Sequence, residues 1–319
     1  MQIDQLNPAQ QEVVVDLMQL GADRPVFRPE LRGELRDLLE SSLADLIRPP
    51  GIAERTWVNK TALAQVLACE AYYASEAGSG FPGWNKKTAR GSVVHKALEL
   101  SVAIREPMPP LVLVDHALES LRADDRSLSA WLVDANPLEV AELRAAANDT
   151  VAKFFECWPP LQRAWSPRSE TQIGVDLCDQ SVKLTAKVDL VLGIAQGMEA
   201  RALVVDLKTG DGYPARADDL RFYALVHTVR LGVPPFRVAS YYLDSATYHA
   251  EDVTEEMLFA AAHRAVDGIR KIADLERAGR EATVTEGRQC GWCGLRSSCD
   301  GAARWAVAHG FDDPRAEHD

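Results

Sequence analysis

Two apolar stretches each carry an aspartate near one end. Asp189 lies in Thr185-Ala186-Lys187-Val188-Asp189-Leu190, and Asp206 in Leu203-Val204-Val205-Asp206-Leu207-Lys208. A carboxylate among aliphatic side chains needs a compensating charge. If adjacent strands bring the two acids together, a divalent cation relieves their repulsion, and hard oxygen ligands suit Mg2+ or Mn2+. Side chains alternate along a strand, so Asp206 and Lys208 share a face while Leu207 points into the core. The lysine then reaches the cation site. There an ammonium can stabilise charge on a phosphate or help position and deprotonate water, while the cation generates the nucleophile. Upstream, His95 in Gly91-Ser92-Val93-Val94-His95-Lys96 offers a further nitrogen ligand from a helical stretch. Each feature alone has a plainer reading, a solvated strand end or a helix-face histidine. The set together raises the odds of a metal site with a lysine beside it.

A second constellation is sulfur. Cys290, Cys293 and Cys299 are separated by two and five residues, in short glycine-bearing loops. Such loops let several thiolates converge on one zinc ion or iron-sulfur cluster, and the spacing leaves both open. Either site needs a fourth ligand. Cys69 is the candidate, with Cys157 and Cys178 as buried structural thiols.

The elements that must position these groups follow from periodicity. Residues 1 to about 55 read as a polar helical arm ending near Pro49-Pro50-Gly51. One helix is expected over Thr61–Ala74, carrying Cys69, and another over Ala89–Val102, carrying His95. The stretch to Trp158 is mostly helical and ends in the run Glu139–Phe155. Thr171–Cys178 and Ser181–Ile194 read as a hairpin turning at Asp179-Gln180. Ala202–Leu207 is a buried strand, followed by a helix at Ala217–Leu231, a strand at Arg237–Leu243 and a helix at Glu255–Ala278. That order predicts an α/β fold with a mixed central sheet flanked by helices. The expected division is an arm at 1–55, a core at 56–253 and a C-terminal cysteine-bearing segment at 254–319.

Composition narrows the classes. The 319 residues are 47% hydrophobic and 26% charged, an ordinary globular balance. No apolar run approaches the roughly 20 residues that span a bilayer, which excludes a membrane partner of that kind. The start lacks a basic region followed by an apolar stretch, so a cytoplasmic location is expected, where thiols stay reduced. The net charge of -12 argues against gripping nucleic acid by bulk charge. Leu6-Asn7-Pro8-Ala9-Gln10-Gln11 faintly resembles the entry sequence of some DNA helicases, but no GxxxxGK[ST] phosphate loop follows it.

From about Trp57 to Ala303 the chain resembles the PD-(D/E)XK nuclease superfamily, in its RecB-like branch. Gly91-x-x-x-His95 is similar to the branch's helical histidine motif, Asp189 to its first acid, and Asp206-Leu207-Lys208 to its (D/E)-x-K. The resemblance implies a restriction-endonuclease-like core in which His95, Asp189 and Asp206 bind the metal and Lys208 serves catalysis. It also implies that the Leu207 carbonyl faces the metal. The family's Q-x-x-x-Y helix is matched by Tyr223, but Asp219 stands at the glutamine position and Ala186 at a glycine position. Glu170, just before the hairpin, reads as an exposed loop carboxylate, with an outer-shell acid as the alternative. Some RecB-like nucleases, the AddAB subunits and CRISPR-associated exonucleases, carry one cysteine before the core and C-x-x-C-x5-C after it. By that resemblance Cys69, Cys290, Cys293 and Cys299 hold a [4Fe-4S] cluster, with Zn2+ as the alternative.

The implied activity is metal-dependent DNA cleavage from single-stranded ends, in repair, recombination or CRISPR-type processing. Local charge must then supply DNA binding. Lys86, Lys87, Arg90, Arg216, Arg221 and Arg230 are candidate phosphate contacts, and Trp84 and Phe81 candidate stacking platforms. The competing reading of these residues is a solvated face with a loop anchor. A helicase or a CRISPR adaptation complex is the implied loading partner. The alternative from another class is a non-catalytic DNA-binding or scaffold protein that uses the cluster as a structural clip.

Overall fold

The computed structural model describes residues 3–49, 55–79, 83–104, 106–123, 127–210 and 217–311. In chain order the elements are α1 (Pro8–Glu12), α2 (Leu31–Ser42), β1 (Thr56–Val58), α3 (Lys60–Ala68), α4 (Glu70–Gly78) and α5 (Lys86–Ala103). Then come α6 (Pro110–Ala123), α7 (Ser127–Asp134), α8 (Pro137–Cys157), the strands β2 (Arg168–Leu177), β3 (Val182–Leu192) and β4 (Leu203–Lys208), and α9 (Ala217–Leu231). The chain closes with β5 (Arg237–Tyr242), β6 (Thr247–Asp252), α10 (Glu255–Ala278) and α11 (Asp300–Ala308). Pro50-Gly51, Phe81 and Arg216 lie outside the described residues.

Asparagine opens several of these helices by accepting first-turn amide bonds that have no partner within the helix. Asn85 and Asn136 form full capping boxes with Thr88 and Glu139, and Asn59 accepts from the Ala62 amide at 2.9 Å. Asn7 does the same for α1 with Gln10, and its Nδ2 also donates to the Glu156 carbonyl at 2.7 Å. The helicase-like opening sequence is therefore a helix cap docked on α8.

The sheet runs β1-β3-β4-β5-β6, with β2 paired to β3. It is mixed: β1 is parallel to β3 and β4 to β5, whereas β3–β4 and β5–β6 are antiparallel. The expected mixed α/β architecture is present. Cys178, Asp179 and Gln180 all adopt left-handed φ between β2 and β3, and Ser181 N–H donates to the Cys178 carbonyl at 2.9 Å, closing the hairpin. Three details differ from expectation. The helix expected over 61–74 is two, because Cys69 is extended (φ -167, ψ 123) and ends α3 while opening α4. β1 has only three residues, too few to show a period. β6 is half-exposed and polar, an edge strand without the apolar alternation that marks strands.

The chain forms two compact bodies that do not follow sequence order. The first comprises residues 1–32, 83–173 and 187–255, and the second 33–82, 174–186 and 256–319. In the first, β4 is buried from Leu203 to Leu207 and α9 from Leu220 to Val229 apart from Arg221, so both read as near-continuous apolar runs. Val93, Val94, Ala97 and Leu98 give α5 a buried face, on which His95 is flanked by core residues. Each fully buried Val or Leu contributes about 1.5–3 kcal/mol, which holds that helix in one rotational setting.

His227 lies inside α9, 4% exposed. Burial, reinforced by the Arg168 charge, pushes its pKa down to about 4, so it is neutral at pH 7. Because the folded value lies below the unfolded value of roughly 6.5, its contribution is intact above 6.5 and lost as pH falls towards 4. The denaturant midpoint should drop across that window, and His227→Leu should flatten the drop. An unchanged slope in the variant would show that other groups carry the acid sensitivity.

Candidate active site and cysteine cluster

His95, Glu170 and Asp189 bring ligand atoms within 4.8 Å of one another, the cluster of this tightness among the described residues. His95 Nδ1 stands 3.4 Å from Asp189 Oδ1 and 3.8 Å from Glu170 Oε1. Both acids are only 14% exposed, and the imidazole 27%. Burial opposes charge on His95, but the bonds to Asp189 and Glu170 outweigh it and lift its pKa to about 9. Burial likewise opposes ionisation of Glu170, yet His95 and Lys187 hold its pKa below the usual range.

Glu170 corrects the sequence expectation. It lies on β2 rather than in an exposed loop, and it joins the cluster rather than standing outside it. Its φ of +50° is left-handed, which costs an L residue about 1 kcal/mol or more and turns the side chain out of strand alternation. That reversal removes the period-two signal by which the residue could have been found.

Asp206 is 1% exposed and pairs through Oδ2 with Lys208 Nζ at 2.5 Å. The antiparallel register Leu190↔Val205 makes Asp189 and Asp206 the next facing pair. There the Leu207 amide donates to Asp189 Oδ2 at 2.7 Å, tying the two strands together at their acids. Asp206 thus adjoins the three-ligand cluster without belonging to it, its charge held by the lysine. Gly91 explains how the helix comes close: a Cβ there would lie 3.1 Å from Thr209 Oγ1, just past the lysine. Tyr223 is buried and its hydroxyl donates to the Lys187 carbonyl at 2.8 Å, fixing the strand two residues before Asp189.

A cleft of about 660 Å³ opens over the cluster, walled by α5 and by Trp84, Leu121, Ser127 and Leu128. Lys87, Lys96 and Lys187 line it, and the Trp84 indole N–H donates to Ser127 Oγ at 2.9 Å. Several expected phosphate contacts are instead engaged with acids. Arg90 pairs with Asp244 at 2.6 Å, Arg221 binds Glu251 through two nitrogens at 2.9 Å, and Lys86 contacts Glu142. Helix charge patterns cannot reveal such partners, because they come from distant segments.

A protonated imidazole cannot ligate a cation, so His95, if it is a ligand, must release its proton on binding. Titrating Mn2+ into the protein at neutral pH, in buffers of different ionisation enthalpy, should show release of about one proton per ion. Affinity should rise with pH up to about 9 and then level off. Identical heats in every buffer would exclude His95 as a ligand.

The second body holds all four expected cluster cysteines. Cys69, Cys290 and Cys293 are buried and Cys299 is half-buried at the start of α11. Burial raises the Cys293 pKa, the Leu295 amide offsets this, and the neighbouring Cys69, Cys299 and Cys290 sulfurs raise it further. The other three sulfurs are thus close enough to act on the Cys293 charge, although no three of the four lie within 4.8 Å of one another. Backbone amides already point at two of them, Thr285 N–H to Cys69 and Leu295 N–H to Cys293, each at 3.4 Å. Four soft thiols with amide donors suit either a cubane or zinc. The segment after α10 is pinned beside Cys69: Ala71 N–H donates to the Thr283 carbonyl, and Glu70 accepts from Arg280 at 2.6 and 3.0 Å and from the Thr283 amide. The Arg280 bond outweighs burial and, with the Thr283 bonds, holds the Glu70 pKa at about 2. Cys178 is separate. Burial and nearby Glu40 push its thiol up to about 12, and its Sγ donates to the Leu43 carbonyl, as a structural thiol would.

The PD-(D/E)XK nuclease superfamily model matches residues 58–300, covering the histidine helix, both acids, the lysine and the first two tail cysteines as well as Cys299. The chain belongs to the PD-(D/E)XK nuclease superfamily. A PD-(D/E)XK protein is a nuclease, and the acid-lysine pair and its neighbouring ligand cluster lie within the matched region. Among solved structures, this nuclease chain is similar to the "Putative exonuclease" of Eubacterium rectale, with TM-score 0.47 and 14% identity over 73% of this chain and 86% of that one. It is also similar to the protein SSO0001, with TM-score 0.32 and 11% identity over 84% and 94%. No curated protein matches the chain. Among the described residues, no helix is long and apolar enough to cross a membrane.

Proposed function

We propose that this nuclease is a divalent-cation-dependent deoxyribonuclease that shortens DNA from single-stranded ends, with a [4Fe-4S] cluster on its four clustered cysteines. The observation that carries the reading is the ligand cluster of His95, Glu170 and Asp189 beside the buried Asp206–Lys208 pair. Two carboxylates and an imidazole fit Mg2+ or Mn2+, with Asp206 and the Leu207 carbonyl as the neighbouring oxygen donors that family resemblance supplies. When bound, the cation supplies Lewis acidity and a more acidic bound water. Lys208 acts on the phosphate, where its ammonium offsets charge developing on the non-bridging oxygens. Asp206 holds that ammonium in place, and the Leu207 amide orients Asp189. Tyr223 is a positioning residue that acts through the Lys187 backbone.

The cleft favours an unpaired strand. Trp84 offers an aromatic face and Lys87 a phosphate contact, the pairing that single-strand grooves use. An acidic chain in which Arg90 and Arg221 are paired with acids would bind DNA weakly alone, which suits a helicase or a CRISPR adaptation complex that delivers ends. The free thiols suit the reducing cytoplasm. The test is digestion of 5′- and 3′-end-labelled single strands alongside a circular single strand, with Mg2+ or Mn2+. Cation-dependent shortening of the linear strands is expected, with the circle spared. Loss of the circle at the same rate would overturn end specificity, and no cleavage with either cation would overturn the nuclease assignment to this site.

A further inference from the structure

Lys187 precedes Asp189 by two residues on β3, so both side chains leave the same face of the strand. Its ammonium contacts Glu170 Oε2, although its own side chain is 58% exposed on the cleft wall and Glu170 is only 14% exposed. The Lys187 backbone is fixed by Tyr223, so only the side chain is free to swing. A divalent cation seated on Asp189 and Glu170 would meet the Lys187 ammonium already on Glu170, two positive groups on one carboxylate. A lysine at this exposure gives way by moving.

We infer that Lys187 and the divalent cation compete for Glu170, and that Lys187, once displaced, contacts a backbone phosphate of the strand in the cleft. This rests on the proposed cation-dependent nuclease activity and adds to it a positioning residue with two opposed effects. A purely structural Lys187–Glu170 bridge would, when broken, loosen Glu170 and weaken cation binding. A competing Lys187 does the reverse.

The test uses the full chain with Lys187→Gln and Lys187→Arg. Titration of Mn2+ alone, without DNA, should show Lys187→Gln binding the ion about two- to five-fold more tightly, the scale of one partly exposed ion pair. The same variant should raise KM for a single strand by a similar factor. It should also make the log–log salt dependence of strand binding shallower by about 0.7, the signature of one lost phosphate contact. Lys187→Arg should restore the salt dependence. Equal or weaker Mn2+ binding by Lys187→Gln, or an unchanged salt slope, would overturn the inference while leaving the nuclease reading standing. A parent chain that binds no Mn2+ would overturn both.

Discussion

Lys208→Ala should lower turnover on single-stranded DNA by about 10²- to 10⁴-fold, and Asp206→Asn by about 10³-fold, with little change in KM. The size follows from burial. Asp206 is 1% exposed and meets Lys208 at 2.5 Å, so the pair acts in a low-dielectric setting where a charge is worth far more than at the surface. Without the lysine, the phosphate loses a cation that no other described side chain at that strand end replaces. Lys208→Ala also leaves a buried carboxylate without its ion pair, so stability must be measured beside activity. Lys208→Arg is the control: it keeps the charge but not the compact ammonium, and should recover folding more fully than turnover. Asparagine at 206 keeps the shape and removes the charge. It also takes the Asp206 charge from the Lys208 ammonium, which is 16% exposed, so its thermal transition must be measured beside cleavage as well. Parental cleavage rates in either variant would remove the pair from the chemistry.

Cys299→Ser should cost on the order of 5 kcal/mol in the second body and abolish binding of the proposed cluster, because cofactor binding and folding are one equilibrium at such sites. The sulfurs come from residues 69 and 290–299, and beyond them the segment is held beside Cys69 chiefly by Glu70, Arg280 and backbone bonds to Thr283. Those bonds are partly exposed, and alone they would hold the tail only weakly. Limited proteolysis should cut within 280–299 in the variant and spare the parent. Cys157→Ser, outside the cluster, should behave as the parent does. Iron and sulfide assay of protein purified without oxygen should find four of each per chain, lost in Cys299→Ser, if the cluster is a cubane. One zinc per chain and no sulfide would overturn the iron-sulfur reading while leaving the clamp intact. Resistance of Cys299→Ser to proteolysis would show that the ion pair suffices.

Local chemistry made much of this legible in the sequence. Asp189, Asp206 and Lys208 announce themselves because polar residues at the ends of apolar runs break a pattern. α9 and α10 have the bounds that periodicity predicts, and the β2–β3 hairpin turns at Asp179-Gln180, as its turn residues imply. β6 was not legible, since an edge strand with one solvated face needs no apolar alternation. The single helix expected over 61–74 failed for a different reason. Helical propensity continues through Cys69, but there the backbone is extended, and the sulfur faces the tail thiols. Arg90 and Arg221, expected to face phosphates, are paired with Asp244 and Glu251, which lie 154 and 30 residues away and which no local charge pattern connects to them.

Sequence alone determined which residue types this nuclease brings to its candidate site, the strands and helices that carry most of them, and the spacing of the tail cysteines. Those follow from side-chain pattern, which is local. Only the tertiary structure decided that Glu170 joins His95 and Asp189, that Lys187 contacts that acid, and that Lys208 spends its charge on Asp206. Such partnerships depend on a left-handed residue in β2 and on the register between β3 and β4. They arise from backbone geometry summed over distant segments, and no spacing along the chain encodes them.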